Sequence, residues 1–218
     1  MSRIAKRVPI GATIVVVLAV LLMVRLGFWQ LSRLHEKEAL IARYSANATL
    51  PPVALPALFP VDDRALFRRV SADCLSPASW SIEGGGGIGG RSGWRHIALC
   101  RTGGEGPGIA VDVGVSQPSK PPAWGGGLVR GRLTWLPDHG SLLGRMLGQA
   151  PARVAMIVAE TPAPGLAASA PPDPAGIPNN HLAYAVQWFL FAAVAAIIYG
   201  VALARRRQGL VAPPPGDR

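Results

Sequence analysis

The chain has 218 residues, half of them hydrophobic and only 16% charged, with a formal net charge of +10. This much apolar content excludes a disordered chain, and the length leaves room for one small domain beside other segments. A basic balance can signal nucleic-acid binding, but eight of the 22 basic residues lie in or beside two apolar end runs, with Asp217 the only acid among them, so a membrane is the better reading.

The first run, Val8 to Val24, follows Arg3, Lys6 and Arg7. Crossing roughly 30 Å of hydrocarbon takes about 20 mostly apolar residues, which is met if the run extends to Trp29. A transmembrane helix is therefore expected over 8–29, after a basic N-terminus over 1–7. A cleavable signal peptide is the rival, but the apolar core is too long, no Ala-x-Ala site follows it, and an uncleaved anchor is favoured. Arg25 can snorkel to the interface, where Phe28 and Trp29 suit the aromatic belt.

Helical periodicity continues from Leu31 to Tyr44, with Leu31, Leu34 and Ile41 on one face, and Pro51-Pro52 ends it. Residues 30–161 are expected to form a β-rich domain that includes this juxtamembrane helix. Alternation predicts strands over Leu66–Leu75, with Val70, Ala72 and Cys74 on one face, and over Trp94–Arg101, with Trp94, His96, Ala98 and Cys100 on one face. Ile109–Val115 is a third, and Leu128–Leu136 and Val154–Val158 are weaker cases. Glycine and proline clusters between them suggest a small, mainly antiparallel sheet or barrel. A short helix is expected over Leu142–Leu147. Gly84–Gly93 lacks the lysine and following helix of a phosphate loop and reads as an inter-strand loop. Residues 162–180, rich in alanine and proline, read as an extended tether.

The second run, Leu182 to Ala204, is followed by Arg205, Arg206 and Arg207. It predicts a transmembrane helix over 181–204 and a basic tail over 205–218. Lys and Arg on short flanks are retained in the cytoplasm, so both termini are expected there and the central domain on the outer, periplasmic face. The fold class is thus membrane α+β, with two transmembrane helices bracketing a small outer domain. No Arg- and Ser-rich transit peptide precedes the first span, which favours a bacterial inner membrane over a mitochondrial precursor.

Cys74 and Cys100 are the only cysteines. In an oxidising compartment they could form a disulfide; two buried thiols and a metal site are the alternatives, the last lacking any Cys-x-x-Cys pair. Asn47-Ala-Thr49 matches a glycosylation tripeptide, a pattern common by chance. His35, His96 and His139 are isolated, and no catalytic triad can be assembled from local spacing. An outer-face enzyme using His96 and His139 finds no positive sign, and the chain is expected not to be an enzyme.

The chemistry concentrates where the two spans meet the outer face. Asn179 or Asn180 can cap the second helix. His181 enters next, and helical spacing puts Tyr184, Trp188 and Phe191 along its face. Gln187 lies about 9 Å deeper, where a polar group ordinarily faces a partner. A neutral His181 could ligate a heme iron; an interfacial histidine in an aromatic belt is the alternative. On the first helix, Gly27 permits close helix approach, and Trp29, Gln30 and Arg33 lie near one another. Arg33 could pair with a heme propionate or with Glu36.

Gly27-Phe-Trp-Gln-Leu-Ser-Arg-Leu-His-Glu-Lys-Glu-Ala-Leu-Ile41 resembles the Gly-x-Trp-Gln-x-x-Arg opening of the surfeit locus (Shy-type) family of cytochrome c oxidase assembly proteins. Asn179-Asn-His-Leu-Ala-Tyr-Ala-Val-Gln-Trp-Phe189 resembles its closing Asn-His-Leu-x-Tyr-Ala-x-x-Trp-Phe, and Phe67-Arg-Arg-Val70 looks like its first outer strand. Val111-Asp-Val-Gly-Val115 departs from the family's Val-Asp-Arg-Gly-Trp-Val, lacking the Arg and Trp. The resemblance implies a chaperone-like role in respiratory chain biogenesis, holding heme a or delivering it to the oxidase catalytic subunit. Its implied partners are that subunit and the heme a synthesis machinery. A scaffold acting through protein contacts alone is the second reading. The resemblance implies His181 as axial ligand, with Tyr184, Trp188, Trp29, Gln30 and Arg33 around the cofactor.

Overall fold

The computed structural model describes residues 9–103, 108–117, 119–138, 140, 144, 146, 148 and 153–208. His139, most of the short helix expected over 142–147, and the basic ends 1–7 and 209–218 lie outside them. The chain divides into two compact units, one built from its ends up to Ala39 and from Pro178, the other from Leu40 to Ile177.

Two helices make the first unit. Helix α1 runs unbroken over Ile10–Thr49 and helix α2 over His181–Gln208. Between Ile10 and Thr49 there is no proline, so nothing stops α1 until Pro51-Pro52. Its last ten residues belong to the second unit. Both helices are long and apolar enough to cross a membrane, with mean hydropathies of 2.5 and 2.1 in their most apolar stretches. The less exposed positions of α1 include Thr13, Val16, Val20, Met23, Gly27 and Gln30, a 3-4-3-4 alternation. Those of α2 include His181, Ala185, Trp188, Ala192, Ala195 and Tyr199, spaced 4-3-4-3-4. This is the spacing of a heptad-type helix seam, and three alanines on one side let the backbones approach closely.

The second unit is a seven-stranded sheet. Its strands are β1 (Val53–Ala54), β2 (Arg69–Cys74), β3 (Ser76–Gly86), β4 (Ser92–Arg101), β5 (Ile109–Ser116), β6 (Gly127–Trp135) and β7 (Ala155–Ala159), in the order β1-β2-β6-β7-β5-β4-β3. Four pairings are antiparallel, while β1 with β2 and β5 with β7 are parallel. The sheet is therefore mixed rather than an antiparallel meander. It is also curled. Leu75 alone joins β2 to β3, which stand five places apart in the sheet order, so the two ends must come together. Leu75 N–H donates to Arg101 O at 2.9 Å, and Cys74 and Cys100 form a disulfide with their Cα atoms 5.2 Å apart. The interior so enclosed holds Val70, Ala98, Val111, Leu133 and Ile157, all buried. Each large apolar side chain buried there is worth roughly 1.5–3 kcal/mol.

The expected strands form where alternation placed them, with four differences. First, β3 runs into the glycine run, so Gly84–Gly86 are strand residues paired with Ser92–Trp94 and only Gly87–Arg91 turn. Glycine's weak strand propensity hid it, because the pairing is set by the partner strand. Second, β2 starts at Arg69 because Phe67 takes φ 66°, a left-handed conformation incompatible with a strand. That conformation sets the Phe67 ring on Tyr44 of α1, centroids 4.6 Å apart. Asn47 fixes the same joint, donating through Nδ2 to Arg64 O at 2.6 Å and Leu66 O at 2.9 Å. Its amide is thus occupied in the fold.

Third, β4 does not keep one face throughout. A bulge between Arg95 and Ile97 shifts the register, leaving Trp94 exposed, His96 buried and Ile97 in a separate cluster from Ala98 and Cys100. Fourth, residues 162–177 differ from a free tether. Ala163 N–H donates to Val113 O at 2.8 Å, Val115 and Ala167 exchange two backbone hydrogen bonds, and Ala170 N–H donates to Gly86 O at 2.9 Å. Gly114, at φ 130°, makes room for this strap; a Cβ there would lie 2.6 Å from Ala167 O. Proline-rich composition marks the segment as extended, but its alanines still carry N–H groups, and these find the sheet.

Candidate functional site

The site is built on the seam of α1 and α2. Pro178 precedes the second helix, and Asn180 stands at its N-cap, its carbonyl accepting from Tyr184 N–H at 3.2 Å. His181 is then the first residue of α2 and half-buried on the seam. Its Nδ1 lies 2.7 Å from Gln30 Oε1 on α1. A carbonyl oxygen only accepts, so Nδ1 donates, and the lone pair of the neutral ring is left on Nε2. Nε2 has no hydrogen bond among the described residues.

Gln30 can reach the ring because Gly27 sits one turn away. Gly27 is buried, and a Cβ there would lie 2.6 Å from Cε1 of Phe189. Phe189 meets Phe28 edge to face, centroids 5.3 Å apart. The other end of the seam carries a second polar contact, Thr13 Oγ1 to Tyr199 OH at 2.5 Å. Seventeen residues of α1 separate Thr13 from Gln30, about 26 Å at 1.5 Å per residue, so the two contacts bracket most of a hydrocarbon core. Interhelical hydrogen bonds of this kind contribute roughly 0.6–2 kcal/mol each.

The other expected site residues are placed as follows. Trp188 packs edge to face on Phe191, centroids 6.1 Å apart, and is half-buried. Trp29 and Tyr184 are each 53% exposed. Arg33 pairs with Glu36, one turn along α1, both ends exposed. Gln187 is exposed on α2, with no side-chain partner among the described residues. The structure thus joins His181 to Gln30 and leaves the aromatics and Arg33 along the same ends of the two helices. Sequence reasoning missed Phe189, Thr13 and Tyr199. Gly27 carried a signal of close approach, but nothing local said which side chain fills the space. Of the two candidate caps, Asn180 holds the N-cap position, and the side-chain oxygen of Asn179 is buried without a partner among the described residues.

The second unit holds its own polar cluster. Asp112 is fully buried on β5 and accepts from Arg95 Nε and Nη2 at 2.8 and 2.6 Å, from Gly114 N–H at 3.1 Å and from the Ser169 hydroxyl at 2.7 Å. The carboxylate thereby ties β4, β5 and the strap together, a structural task. His96 Nε2 lies 2.7 Å from Ser116 Oγ, and the ring is wholly buried. Arg69 donates to Glu160 through Nε at 2.9 Å and Nη2 at 3.1 Å; that hydrogen bonding first, and the carboxylate charge second, raise its guanidinium above its ordinary value. Both ends are exposed, so the pair adds little stability. Among the described residues no group of three His, Cys, Asp or Glu could hold a metal ion.

The model of the SURF1 family matches residues 17–193, a stretch that contains both helix ends of the site. The chain belongs to the SURF1 family. No curated protein matches it. The SURF1 family is associated with cytochrome c oxidase assembly. Within that family frame, the Gly27-to-Arg33 and Asn179-to-Phe189 segments converge on one hydrogen bond, Gln30 to His181. Two apolar helices mark this family member as a membrane protein.

Proposed function

We propose that this SURF1-family protein is a non-enzymatic assembly factor that holds heme a, or delivers it to the catalytic subunit of cytochrome c oxidase, at the outer edge of a bacterial inner membrane. His181 Nε2 is the axial ligand. The observation that carries this reading is the 2.7 Å contact between His181 Nδ1 and Gln30, which leaves a free lone pair on Nε2. Ligating histidines are commonly oriented by such a partner on the other nitrogen. Heme, when bound, would supply an iron that a neutral imidazole such as that of His181 can ligate.

The surrounding residues suit the rest of the cofactor. Trp29 and Tyr184 offer exposed aromatic surface beside His181, and Trp188 with Phe191 extends it deeper. The Arg33–Glu36 pair is exposed and worth about 0–1 kcal/mol, so Arg33 can exchange Glu36 for a propionate at little cost. In this reading both termini are cytoplasmic and the sheet unit is periplasmic; reporter fusions at Gly86 and at the C-terminus report opposite sides, and a same-side result refutes the orientation. The test of function is heme content after purification from cells making heme a. Wild type carries heme and His181→Ala does not. Equal heme in both rejects the ligand. No heme in either, together with lost oxidase on deletion, replaces this reading by a protein-only scaffold.

A further inference from the structure

Val70 and Ala72 of β2 and Val129 and Leu133 of β6 are buried in the interior of the curled sheet, so the residues alternating with them face outward. The register sets Arg132 directly opposite Arg69, and Arg130 directly opposite Ser71. Like charges facing each other across a strand pair are destabilising unless an anion offsets them. Glu160, just past β7, offsets part of this charge by accepting two hydrogen bonds from Arg69. Its N–H also donates to Arg130 O at 2.9 Å, which sets the two residues side by side. The Arg130 guanidinium nevertheless makes no hydrogen bond or ion pair among the described residues. Asp73, two residues beyond Ser71 on the same face, forms no ion pair with any of the three arginines. The Ser71 hydroxyl is half-buried and also without a partner among the described residues. Between these groups lies a cavity of about 380 Å³, walled by Pro52, Arg69, Ser71, Arg130 and Glu160.

We infer that this cavity binds a phosphate group, held by Arg130 and Ser71 with Arg69 alongside. The chemistry of the free donors selects the occupant. An unpaired guanidinium presents its N–H groups as a planar fork that matches phosphate oxygens, and the Ser71 hydroxyl adds a further donor. Arg69 uses Nε and Nη2 on Glu160 and keeps Nη1. A carboxylate is already present in Glu160, and these donors remain over; a phosphate has the additional oxygens to take them up. Three arginines around one bonded carboxylate also leave the face positive, so an anion is the complementary ligand. A phospholipid headgroup and a soluble phosphate ester carry the same group. The site lies within the sheet unit and does not depend on His181 or on heme.

The experiment titrates full-length protein in an uncharged detergent with inorganic phosphate and, separately, with acetate, read by calorimetry. Wild type binds phosphate saturably, and acetate about tenfold more weakly. Arg130→Gln weakens phosphate binding about tenfold or more, and Arg130→Lys recovers part of the loss. Glu160→Gln acts in the opposite direction: it frees Arg69 and tightens phosphate binding several-fold. A purely structural role for Glu160 predicts no such gain, since removing an exposed ion pair adds nothing to the fold. Arg91→Gln, the same charge change at the β3–β4 turn, binds as wild type. Thermal unfolding and Cys74–Cys100 bond formation, measured alongside, show that the variants fold. Repeating the titration in phosphatidylcholine nanodiscs with and without phosphatidic acid identifies the source. A headgroup ligand makes phosphatidic acid compete with inorganic phosphate; a soluble ligand leaves the titration unchanged. No saturable phosphate binding by wild type, wild-type affinity in Arg130→Gln, or no gain in Glu160→Gln overturns the inference. So does acetate binding as tightly as phosphate.

Discussion

Gly27→Ala is a small change with a definite geometric consequence. The added Cβ lies 2.6 Å from Cε1 and 2.7 Å from Cζ of Phe189, while an ordinary carbon contact is about 3.5–4 Å. Something must move by roughly 1 Å. The Phe189 ring is not free to give way, because it is half-buried and packed edge to face on Phe28. Rotating it away forfeits a contact worth about 0.5–1.5 kcal/mol. Keeping it pushes α1 and α2 apart, an overpacking cost of about 1–3 kcal/mol. Gln30 is three residues from Gly27 on the same seam, so a 1 Å separation stretches the 2.7 Å bond to His181 beyond hydrogen-bonding range. The variant is expected to lose both stability and the fixed tautomer of His181. Thermal unfolding in detergent reads the first, and ¹⁵N chemical shifts of histidine-labelled protein read the second, as a change from a single Nδ1–H form to a tautomer mixture. Gly27→Ala with Phe189→Leu restores both. If Gly27→Ala melts with wild type and keeps one tautomer, the close approach at Gly27 does not hold the Gln30–His181 contact.

The sheet unit offers further checks. The disulfide closes a loop with a sequence separation of 26, for which chain entropy predicts about 3.5 kcal/mol; Cys74→Ser with Cys100→Ser should lower the denaturant midpoint accordingly, and reductant should do the same to wild type only. Asp112→Ala strands the part-buried Arg95 guanidinium and the buried Ser169 hydroxyl, and equilibrium unfolding should show a loss of about 3–5 kcal/mol. At Phe67 the usual order inverts: Phe67→Gly and Phe67→Ala both lose the Tyr44 contact, but only glycine relieves φ 66°. The glycine variant should therefore be about 1 kcal/mol the more stable in the same unfolding assay.

How far these features were legible in the sequence depends on the range of the forces that set them. Both helices could be read because an uncharged run of 20 residues needs no partner to declare itself, and Pro51-Pro52 stops α1 locally. The alternating strands β2, β5 and β6 could be read from their period. Strand β3 could not, since its glycines carry no side-chain pattern and its place comes from pairing with β4. Nor could the docking of residues 163–170, where the decisive contacts are backbone hydrogen bonds to residues 50 or more positions away. The site divides the same way. His181, Gln30 and Gly27 each carried a local reason for attention. Their meeting, and the choice of Phe189 to fill the space at Gly27, are tertiary. Arg33 shows the reverse: its pairing with Glu36, one turn along the same helix, was within reach of the sequence.

Whether an iron bonds to Nε2 of His181 is measured most directly by electron–nuclear double resonance on heme-loaded protein labelled with ¹⁵N-histidine. The prediction is a strong imidazole nitrogen coupling in wild type that vanishes in His181→Ala. Heme that is retained with the same nitrogen coupling in His181→Ala would contradict the proposal and assign the ligand elsewhere.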